Sequence, residues 1–405
     1  MTKPLLSQLA ERLARPVGEA DRQRARLHLL DWLACVAGAR DMEAGHVGGA
    51  ISRAGWERTT YAGNALEMDD VHRTALLHPG PVIWPVAMSM GSAGMDARLD
   101  AAVRGYEVMI ALGAALDARH YAHWHPTATA GIIGAAAAFG SLIGFAPTEY
   151  AQAMGNAASV SGGLWHMRHD DVLTKQWHVY HAVRTGRDAA LHVHYGATGP
   201  TRMLEGEQGL FAAMTREPGD LAGGDEWLIH EVSFKPFAAC RHAHPAIDAA
   251  MELRRAGKLQ APFRVETYAD ALAFCDRPDP RTELEAKFSL QHSVAVVAAG
   301  RDAAPADFTM EAVAELVDLR AQVSVAEDPA ITARYPEHFG ARVNGLELVD
   351  TLGDPERPVG EADIVAKTQT LGAWGGIADA DRAVELALRG DDPAAIDTML
   401  EDWLA

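Results

Sequence analysis

The stretch Thr129-Ala-Gly-Ile-Ile-Gly-Ala-Ala-Ala-Ala-Phe-Gly-Ser-Leu-Ile-Gly144 decides the fold class of this chain. Its apolar residues do not alternate with polar ones, as those of a half-exposed strand would, and its alanines and glycines allow neighbouring backbones to approach closely. The apolar run from Gly131 to Gly144 is too short and too rich in Ala and Gly to span a bilayer. We therefore predict a closely packed internal helix in this part of the chain.

Helical patterns continue on both sides of this stretch. Apolar residues recur at helical spacing over residues 21–39 and 96–118, and residues 150–163 have the same small-residue character. After Gly224 the pattern changes, because short β-type stretches begin to alternate with helical segments. The predicted strands lie at 227–234, 263–269, 322–325 and 341–348, and the predicted helices between them at 245–256, 289–299 and 310–319.

The predicted fold class is mainly α, with a large all-helical domain and a smaller α+β domain built on a small, mostly antiparallel sheet. Residues 1–230 form the first part of the helical domain and residues 231–361 form the α+β domain. Residues 362–405 return to helix after the Gly353 to Pro358 turn segment and complete the helical domain. The α+β domain is thus predicted to be an insertion.

Composition and charge limit the function classes. The 405 residues are 48% hydrophobic, which is enough for a sizeable core, and the formal charge of −19 argues against a general affinity for nucleic acid or anionic membrane. Three widely spaced cysteines supply neither a disulfide framework nor a Cys-based zinc site. The N-terminus lacks the apolar stretch of a secretory signal, so we expect a cytoplasmic protein.

Histidines mark the candidate site. Eleven of the 18 lie between His72 and His194, and histidine is the side chain that titrates near neutrality. Polar groups gather in five clusters, at 67–81, 120–129, 165–181, 234–245 and 285–295. Each cluster keeps a structural alternative: a solvated acidic turn, packed side chains, a basic interface helix, a buried cysteine at Cys240 and an N-cap at Ser289.

Local patterns favour carboxylate binding over metal binding. His125 stands just before a predicted helix N-terminus and Lys175 at the start of another, where free amides favour anions. Residues 232–247 hold two cations and no acid in an otherwise acidic chain. His120, His123 and His125 also permit a metal, but no His-Glu-x-x-His motif or bracketing carboxylate supports one, so we expect none.

Taken in order, these clusters resemble the MmgE/PrpD family, which includes 2-methylcitrate dehydratase, cis-aconitate decarboxylase and iminodisuccinate epimerase. The resemblance covers nearly the whole chain. It is carried by Met68-Asp-Asp-Val-His72 with His78-Pro79, His125-Pro-Thr-Ala-Thr129, Thr174-Lys175, Lys235-Pro-Phe-Ala-Ala-Cys-Arg241 with His244-Pro-Ala-Ile-Asp248, Lys287-Phe-Ser-Leu290 and Gly353-Asp-Pro-Glu-Arg-Pro358. It implies an MmgE/PrpD-like two-domain fold with an α+β lid, a homodimer, and catalysis without metal or organic cofactor.

The resemblance also implies site residues. It places active-site groups at Asp70, His78, His125 and Lys175, with Glu67 at the head of the first loop. The residues that we expect to be catalytic are His78, His125, Lys175, Asp70 and His292, and those that we expect to bind substrate are Glu67, His72, Arg73, Thr129, Lys235, Cys240 and Arg241. Two positions depart from the family pattern, since Val71 replaces the usual Thr and His292 the usual Tyr.

The chemistry shared by the family is heterolysis next to a carboxylate, in which negative charge builds on an enolate-like carboxylate. We expect a cofactor-independent hydro-lyase acting on a small di- or tricarboxylate, because elimination uses one acid and one base, here His78 and His125 in either order. Epimerisation with His292 as second base, and decarboxylation, are the enzymatic alternatives. A zinc hydrolase and a non-catalytic carboxylate-binding protein are more remote ones.

Overall fold

The computed structural model describes residues 2–52 and 54–404. The chain divides into two compact units, the first made of Met1–Ala65, Asp69–Val232 and Ile364–Ala405, and the second of Leu66–Met68 and Ser233–Asp363. The prediction of a mainly α fold with a smaller α+β part is confirmed. Leu66–Met68, which include the first two residues of the first polar cluster, group with the second unit, and no pattern along the chain had indicated this.

The first unit is helical. Its α-helices are α1 (Leu5–Arg12), α2 (Glu19–Gly38), α3 (Glu43–Ile51), α4 (Gly55–Ala62), α5 (Gly80–Met88), α6 (Met95–Ala114), α7 (Ala118–His123), α8 (Pro126–Leu142), α9 (Pro147–Ala158), α10 (Thr174–His194) and α11 (Leu210–Met214), and it also contains most of α19 (Glu361–Trp374), α20 (Ala380–Leu388) and α21 (Pro393–Trp403). Short 3₁₀ turns cover Trp165–His169 and Leu228–Glu231. Within the residues that the structure describes, no helix combines the length and apolarity that a membrane crossing requires.

Helix α8 is the centre of this unit, as its Ala/Gly-rich sequence predicted. Every residue from Pro126 to Gly140 is buried. A Cβ added at Gly134 would lie 2.7 Å from the Cβ of Met109 on α6, and one at Gly186 on α10 would lie 2.4 Å from the carbonyl oxygen of Ile132. Because neither side chain fits, these glycines permit the close packing of α8 against α6 and α10.

The strand predicted over 227–234 is wrong. Residues 228–231 form a 3₁₀ turn, and Trp227, Leu228 and Ile229 are all buried in succession instead of alternating. The amide of Leu228 donates a hydrogen bond to Oε2 of the buried Glu107, 2.9 Å away. This side chain takes the place of a strand partner, which a pattern of hydrophobicity does not reveal.

The second unit contains a four-stranded mixed sheet of β1 (Phe263–Thr267), β2 (Val323–Glu327), β3 (Ala341–Val343) and β4 (Leu346–Leu348) in the order β2-β1-β3-β4. The β1–β2 pair is parallel, whereas β1–β3 and β3–β4 are antiparallel, as the sequence predicted for most of the sheet. The helices of this unit are α12 (His244–Arg255), α13 (Ala269–Cys275), α14 (Glu283–Lys287), α15 (Leu290–Ala298), α16 (Met310–Glu315), α17 (Val317–Arg320) and α18 (Pro329–Thr332), with 3₁₀ turns at Arg241–Ala243 and Pro305–Phe308. The single helix predicted over 310–319 is divided into α16 and α17.

Candidate active site

Asp70 anchors the loop that leads into α5. Its carboxylate is buried and accepts hydrogen bonds from the Tyr106 hydroxyl at 2.6 Å, from Nδ1 of His28 at 2.8 Å and from the amide of Gly80 at 2.8 Å. Burial raises the pKa of Asp70 to about 6, against the opposing effects of Tyr106 and Gly80. Since the Gly80 bond fixes the backbone two residues after His78, Asp70 positions that histidine through the main chain.

His78 is paired with the neighbouring carboxylate. Its Nδ1 lies 2.8 Å from Oδ2 of Asp69, and its amide donates a hydrogen bond to the Thr127 hydroxyl in the first turn of α8. Asp69 is 1% exposed and the His78 side chain 15%, so the carboxylate lies on the inner side of the imidazole. A carboxylate against Nδ1 holds the ring in one orientation and stabilises the imidazolium that forms when Nε2 takes a proton. This pair is a candidate acid–base group.

His125 is the N-cap residue of α8 and is fully enclosed. Its Nδ1 lies 3.3 Å from Nδ1 of His178, and its ring centroid 4.5 Å from that of Trp165. Its amide donates to the carbonyl of Gly163, whose φ of +112° brings the following loop over the ring. Burial, reinforced by the electrostatic effects of His178 and Lys175, lowers the pKa of His125 well below its usual range. His125 is therefore a neutral imidazole at neutral pH.

Lys175 is the second residue of α10 and is half-buried. It occupies the first turn of a 21-residue helix, where the free amides and the positive end of the helix dipole favour an anion. Lys175 and His78 both lower the pKa of His125. The first unit thus places His78 and Lys175, from two other segments, near enough to His125 to act on its charge, and their catalytic roles stay predictions.

Three other residues of this unit that we expected to bind substrate, His72, Arg73 and Thr129, contact protein groups. The imidazole of His72 accepts from the amide of Ala75 at Nδ1, while Nε2 lies 3.4 Å from Oε2 of Glu231. The hydrogen bond from His72 and the charge of Arg73 lower the pKa of Glu231. Substrate-binding roles for His72 and Arg73 stay predictions.

Thr129 faces inward from the first turns of α8. It is buried, and its hydroxyl lies 3.0 Å from Nε2 of His120, whose pKa burial lowers to about 4. The hydroxyl also approaches the carbonyl oxygen of Gly162 at 3.4 Å. These contacts attach α7 and the 162–164 loop to α8, and a role for Thr129 in substrate binding stays a prediction.

Asp69, His28 and His178 are the residues that sequence reasoning missed. The Asp69-Asp70 pair was visible, but successive side chains of an extended segment point in opposite directions, and sequence does not say which acid faces His78. His178 lies in the cluster predicted at 165–181, but the sequence did not indicate its partner. His28 carried a signal, since it interrupts the apolar face of α2, and its pKa falls well below the ordinary value on burial.

A buried ion pair lies in the same unit. Nζ of Lys367 on α19 lies 2.6 Å from Oδ1 of Asp31 on α2, and both side chains are almost fully enclosed. Burial raises the pKa of Asp31 to about 6, while the charges of Asp69 and Asp70 act in the same direction. Burial opposes the charge of Lys367, but Asp31 and Cys35 raise its pKa above the ordinary value. The candidate acids therefore share one charged network with Asp31 and Lys367.

In the second unit Glu67 and Lys235 form a buried pair, with Nζ 3.7 Å from Oε2. Glu67 adopts a φ of +58°, a left-handed conformation that residues other than glycine seldom adopt. Such strain is often retained where a side chain has to be held in one place for function. Both residues stay predicted substrate ligands.

Arg241 lies six positions after Lys235 in the sequence, and two of its side-chain donor atoms are available for a ligand. Its Nη2 pairs with Asp354, which also accepts from the Ser233 hydroxyl at 2.6 Å. Nε and Nη1 are buried and have no hydrogen-bond partner among residues 2–52 and 54–404. Each of these N–H groups can donate a hydrogen bond to a carboxylate oxygen, so Arg241 keeps donors for the predicted role. Asp354, from the Gly353 to Pro358 turn, is what holds it.

His292 occupies a different environment from the other candidates. It is 0% exposed, its Nε2 donates to the carbonyl of Asp307 at 2.8 Å, and its ring packs against Phe308. Burial lowers its pKa to about 4. The catalytic role stays a prediction, but these contacts are those of a neutral core histidine.

This environment of His292 makes stability pH-dependent. Between pH 6.5 and 4 the unfolded chain takes up a proton that the folded chain does not, so the contribution of His292 is present above pH 6.5 and is lost as the pH falls. We expect the difference in free energy of unfolding between the wild type and His292→Gln to shrink by about 2 to 3 kcal/mol from pH 7 to pH 4.5. Urea titrations at the two pH values measure this, and an unchanged difference would contradict it.

The residues that the structure describes contain no group of three or more His, Cys, Asp or Glu side chains arranged to hold a metal ion. His120, His123 and His125, which the sequence left open as a metal set, face different partners. His120 contacts Thr129, and His125 contacts His178.

Two family models match the chain. The MmgE/PrpD N-terminal domain matches residues 51–220, and the MmgE/PrpD C-terminal domain matches residues 237–389. Curated relatives include a cis-aconitate decarboxylase-like protein of Aspergillus oryzae, 26% identical over 47% of this chain and 44% of that protein. A cis-aconitate decarboxylase of Aspergillus terreus is 27% identical over 47% of this chain and 43% of that protein. The match spans less than half the length of each of these relatives.

Proposed function

The chain belongs to the MmgE/PrpD family, and from this membership we propose that it is a lyase that acts on a small di- or tricarboxylate by acid–base chemistry next to a carboxylate. The observation that carries the proposal is the combination in one unit of two histidines in different surroundings. One is the neutral, buried His125, and the other is His78 with its Asp69 carboxylate. An acid and a base that coexist at one pH are what an elimination requires.

The two histidines take different roles in this proposal. His125, kept neutral by burial and nearby cations, accepts the proton from the carbon α to the substrate carboxylate. His78, with the Asp69 carboxylate against its Nδ1, donates a proton to the leaving hydroxyl. The electron pair of the C–H bond forms the carbon–carbon double bond, and the hydroxyl leaves as water.

Lys175 stabilises the charge that develops in the proposed reaction. As the proton leaves, negative charge accumulates on the substrate carboxylate. An ammonium group and the amides of the first turn of α10 interact more strongly with that charge than with the ground state. Dehydration, or its reverse, is the first candidate reaction.

Decarboxylation is the second candidate, and the curated relatives favour it, because both are described as cis-aconitate decarboxylases or like them. In that reaction the electrons come from the breaking C–C bond instead of a C–H bond, and the carbon left behind must gain a proton. Epimerisation requires a second base, and His292 is a weak choice for it since its Nε2 is bound to the Asp307 carbonyl.

One experiment distinguishes these reactions. The purified chain is incubated with a panel of hydroxy, unsaturated and amino di- and tricarboxylates in D₂O, and the products are followed by NMR. New olefin signals support elimination, deuterium at a retained α carbon supports epimerisation, and loss of one carbon supports decarboxylation. Turnover that disappears with a chelator would favour the zinc hydrolase, and binding without turnover would favour a carboxylate-binding protein.

Replacement of Lys175 tests the charge-stabilising role. Lys175→Ala is expected to lower kcat/KM by about 10- to 10³-fold, which corresponds to the loss of one or two charge-assisted hydrogen bonds to a carboxylate. The matched control is Lys258→Ala, because Lys258 is exposed in the second unit. If both Lys175→Ala and His125→Ala retained the wild-type rate, this site would be the wrong one.

A further inference from the structure

The second unit contains two buried thiols in contact, which the proposed reaction does not use as nucleophiles. Cys275, at the C-terminal end of α13, lies close enough to Cys240 for each thiol to shift the pKa of the other. Cys240 is 6% exposed and Cys275 is 0% exposed. The third cysteine, Cys35, lies in the first unit on α2.

Packing of the neighbouring residues holds these two segments together. The ring of His242, two residues after Cys240, stacks on that of Phe274, one residue before Cys275, at a centroid distance of 4.8 Å. His242 is fixed in turn by a 2.8 Å hydrogen bond between Nδ1 and the Tyr268 hydroxyl. The amide of Cys240 donates to the carbonyl of Lys287. These contacts hold the turn that carries Cys240 against the end of α13 that carries Cys275.

The surroundings make Cys240 the more reactive of the two thiols. Burial raises the pKa of the Cys240 thiol. Three neighbours lower it: the thiol of Cys275, the charge of Lys235 and the amide of His242. Their combined effect is larger, so the pKa of Cys240 lies below its ordinary value. Burial and the thiolate of Cys240 raise the pKa of Cys275 well above its ordinary value. A thiolate next to a second thiol is the usual arrangement of a redox-sensitive pair.

We propose that Cys240 and Cys275 form a reversible disulfide when the protein meets hydrogen peroxide. The Cys240 thiolate attacks one oxygen of the peroxide, the O–O bond breaks, and the departing hydroxide takes a proton to become water. Sγ of Cys275 loses its proton and attacks the resulting sulfenic acid at Cys240, the S–O bond breaks, and a second water leaves. Two thiols are oxidised to one disulfide, and one peroxide is reduced to two waters.

The bond affects the turn that carries Arg241. An S–S bond of about 2 Å is much shorter than a hydrogen bond between thiols, so Cys240 must move towards α13 when it forms. Arg241 is the next residue, and its Nη2 bond to Asp354 is directional. Oxidation is therefore expected to displace the guanidinium and weaken carboxylate binding, a consequence that rests on the proposed function.

Peptide mapping tests the disulfide itself. The full chain is treated with hydrogen peroxide, quenched with catalase, unfolded in the presence of iodoacetamide and digested. We expect the Cys240 and Cys275 peptides to be cross-linked and lighter by two hydrogen atoms than the two free peptides together, and Cys35 to be alkylated. Dithiothreitol is expected to restore all three free thiols.

Two variants serve as controls. Cys275→Ser is expected to give no cross-link and a sulfenic acid at Cys240 that dimedone labels, whereas Cys35→Ser is expected to cross-link as the wild type does. Wild-type protein that yields sulfinic acid at Cys240 without a cross-link, or that leaves both thiols free for alkylation, would overturn the proposal. Circular dichroism of each variant verifies that it is folded.

Citrate binding tests the consequence for Arg241. Titration of citrate is expected to give a Kd about tenfold higher for the oxidised protein than for the reduced protein, and dithiothreitol is expected to reverse the change. An equal Kd in both states would show that the disulfide does not affect the turn. Absence of citrate binding in both states would count against the proposed function while the cross-link stands.

Discussion

His78→Ala is expected to lower kcat by about 10²- to 10⁴-fold on the substrate that the deuterium panel identifies, and His125→Ala by a comparable factor. Both side chains are assigned to proton transfer in the same reaction, so each substitution removes a step that the other histidine cannot perform. Since the two act together, the double variant is expected to lose little more than either single variant.

The geometry around His78 gives a finer test. Asp69→Asn keeps the shape of the carboxylate 2.8 Å from Nδ1 but removes its charge, and an amide can also donate to Nδ1 and so favour the wrong tautomer. We expect a smaller loss, roughly 10- to 10³-fold in kcat, with little change in KM. Asp70→Asn is expected to act more weakly, because its contacts reach His78 only through the Gly80 backbone.

The control for these variants is His192→Ala, which removes an exposed imidazole at the end of α10. Its turnover is expected to equal that of the wild type. Steady-state kinetics on all variants, with circular dichroism to verify folding, measures the effects. Equal loss in His78→Ala and His192→Ala, or full activity in His78→Ala, would remove His78 from the reaction.

Lys367→Met is expected to lower the free energy of unfolding by about 3 to 5 kcal/mol at neutral pH, because the buried Asp31 carboxyl loses the partner that compensates its charge and must be neutralised by a proton instead. Burial already raises the pKa of Asp31 to about 6, and removal of the ammonium group removes the main effect that opposes that rise. The loss is therefore expected to be smaller at pH 5, where Asp31 is protonated at little cost.

The pair is best tested against its own double variant. Asp31→Leu combined with Lys367→Met removes both charges and is expected to recover most of the lost stability, since isosteric apolar pairs often replace buried ion pairs without cost. Lys258→Met, at an exposed lysine, is the control for the loss of a charge alone. Urea denaturation measures each case, and a loss below about 1 kcal/mol in Lys367→Met would contradict the assignment.

The sequence predicted most of the helical architecture. Small residues recur along α8, α6 and α10, and glycines such as Gly134 and Gly186 are required at the contacts. Strands β1 and β2 carried visible β-type patterns, whereas the single stretch predicted over 341–348 is divided into β3 and β4. The predicted strand over 227–234 failed because its polar groups are satisfied by Glu107, a partner more than 100 residues away in the chain.

The candidate site was predictable only in part. His78, His125 and Lys175 are each marked by a local feature, a His-Pro turn or a helix start, so sequence could find them. The contact of Asp69 with His78 depends on the direction in which the Asp69 side chain points. The contact of Lys367 with Asp31 joins residues 336 positions apart in the chain. Hydrophobic periodicity describes which face of an element is buried, but not which distant charge meets it there.

Because the first unit is built from separate parts of the chain, its contacts form in a fixed order during synthesis on the ribosome. Asp31 is synthesised early, and its ammonium partner Lys367 is added 336 residues later. Arg26 likewise waits for the carbonyl groups of Ala387 and Gly390. The nascent first unit must therefore hold part of its interior open while Ser233–Asp363 is completed, and a ribosome-bound chain lacking its final 42 residues, Ile364–Ala405, would keep a buried carboxylate without a counter-ion.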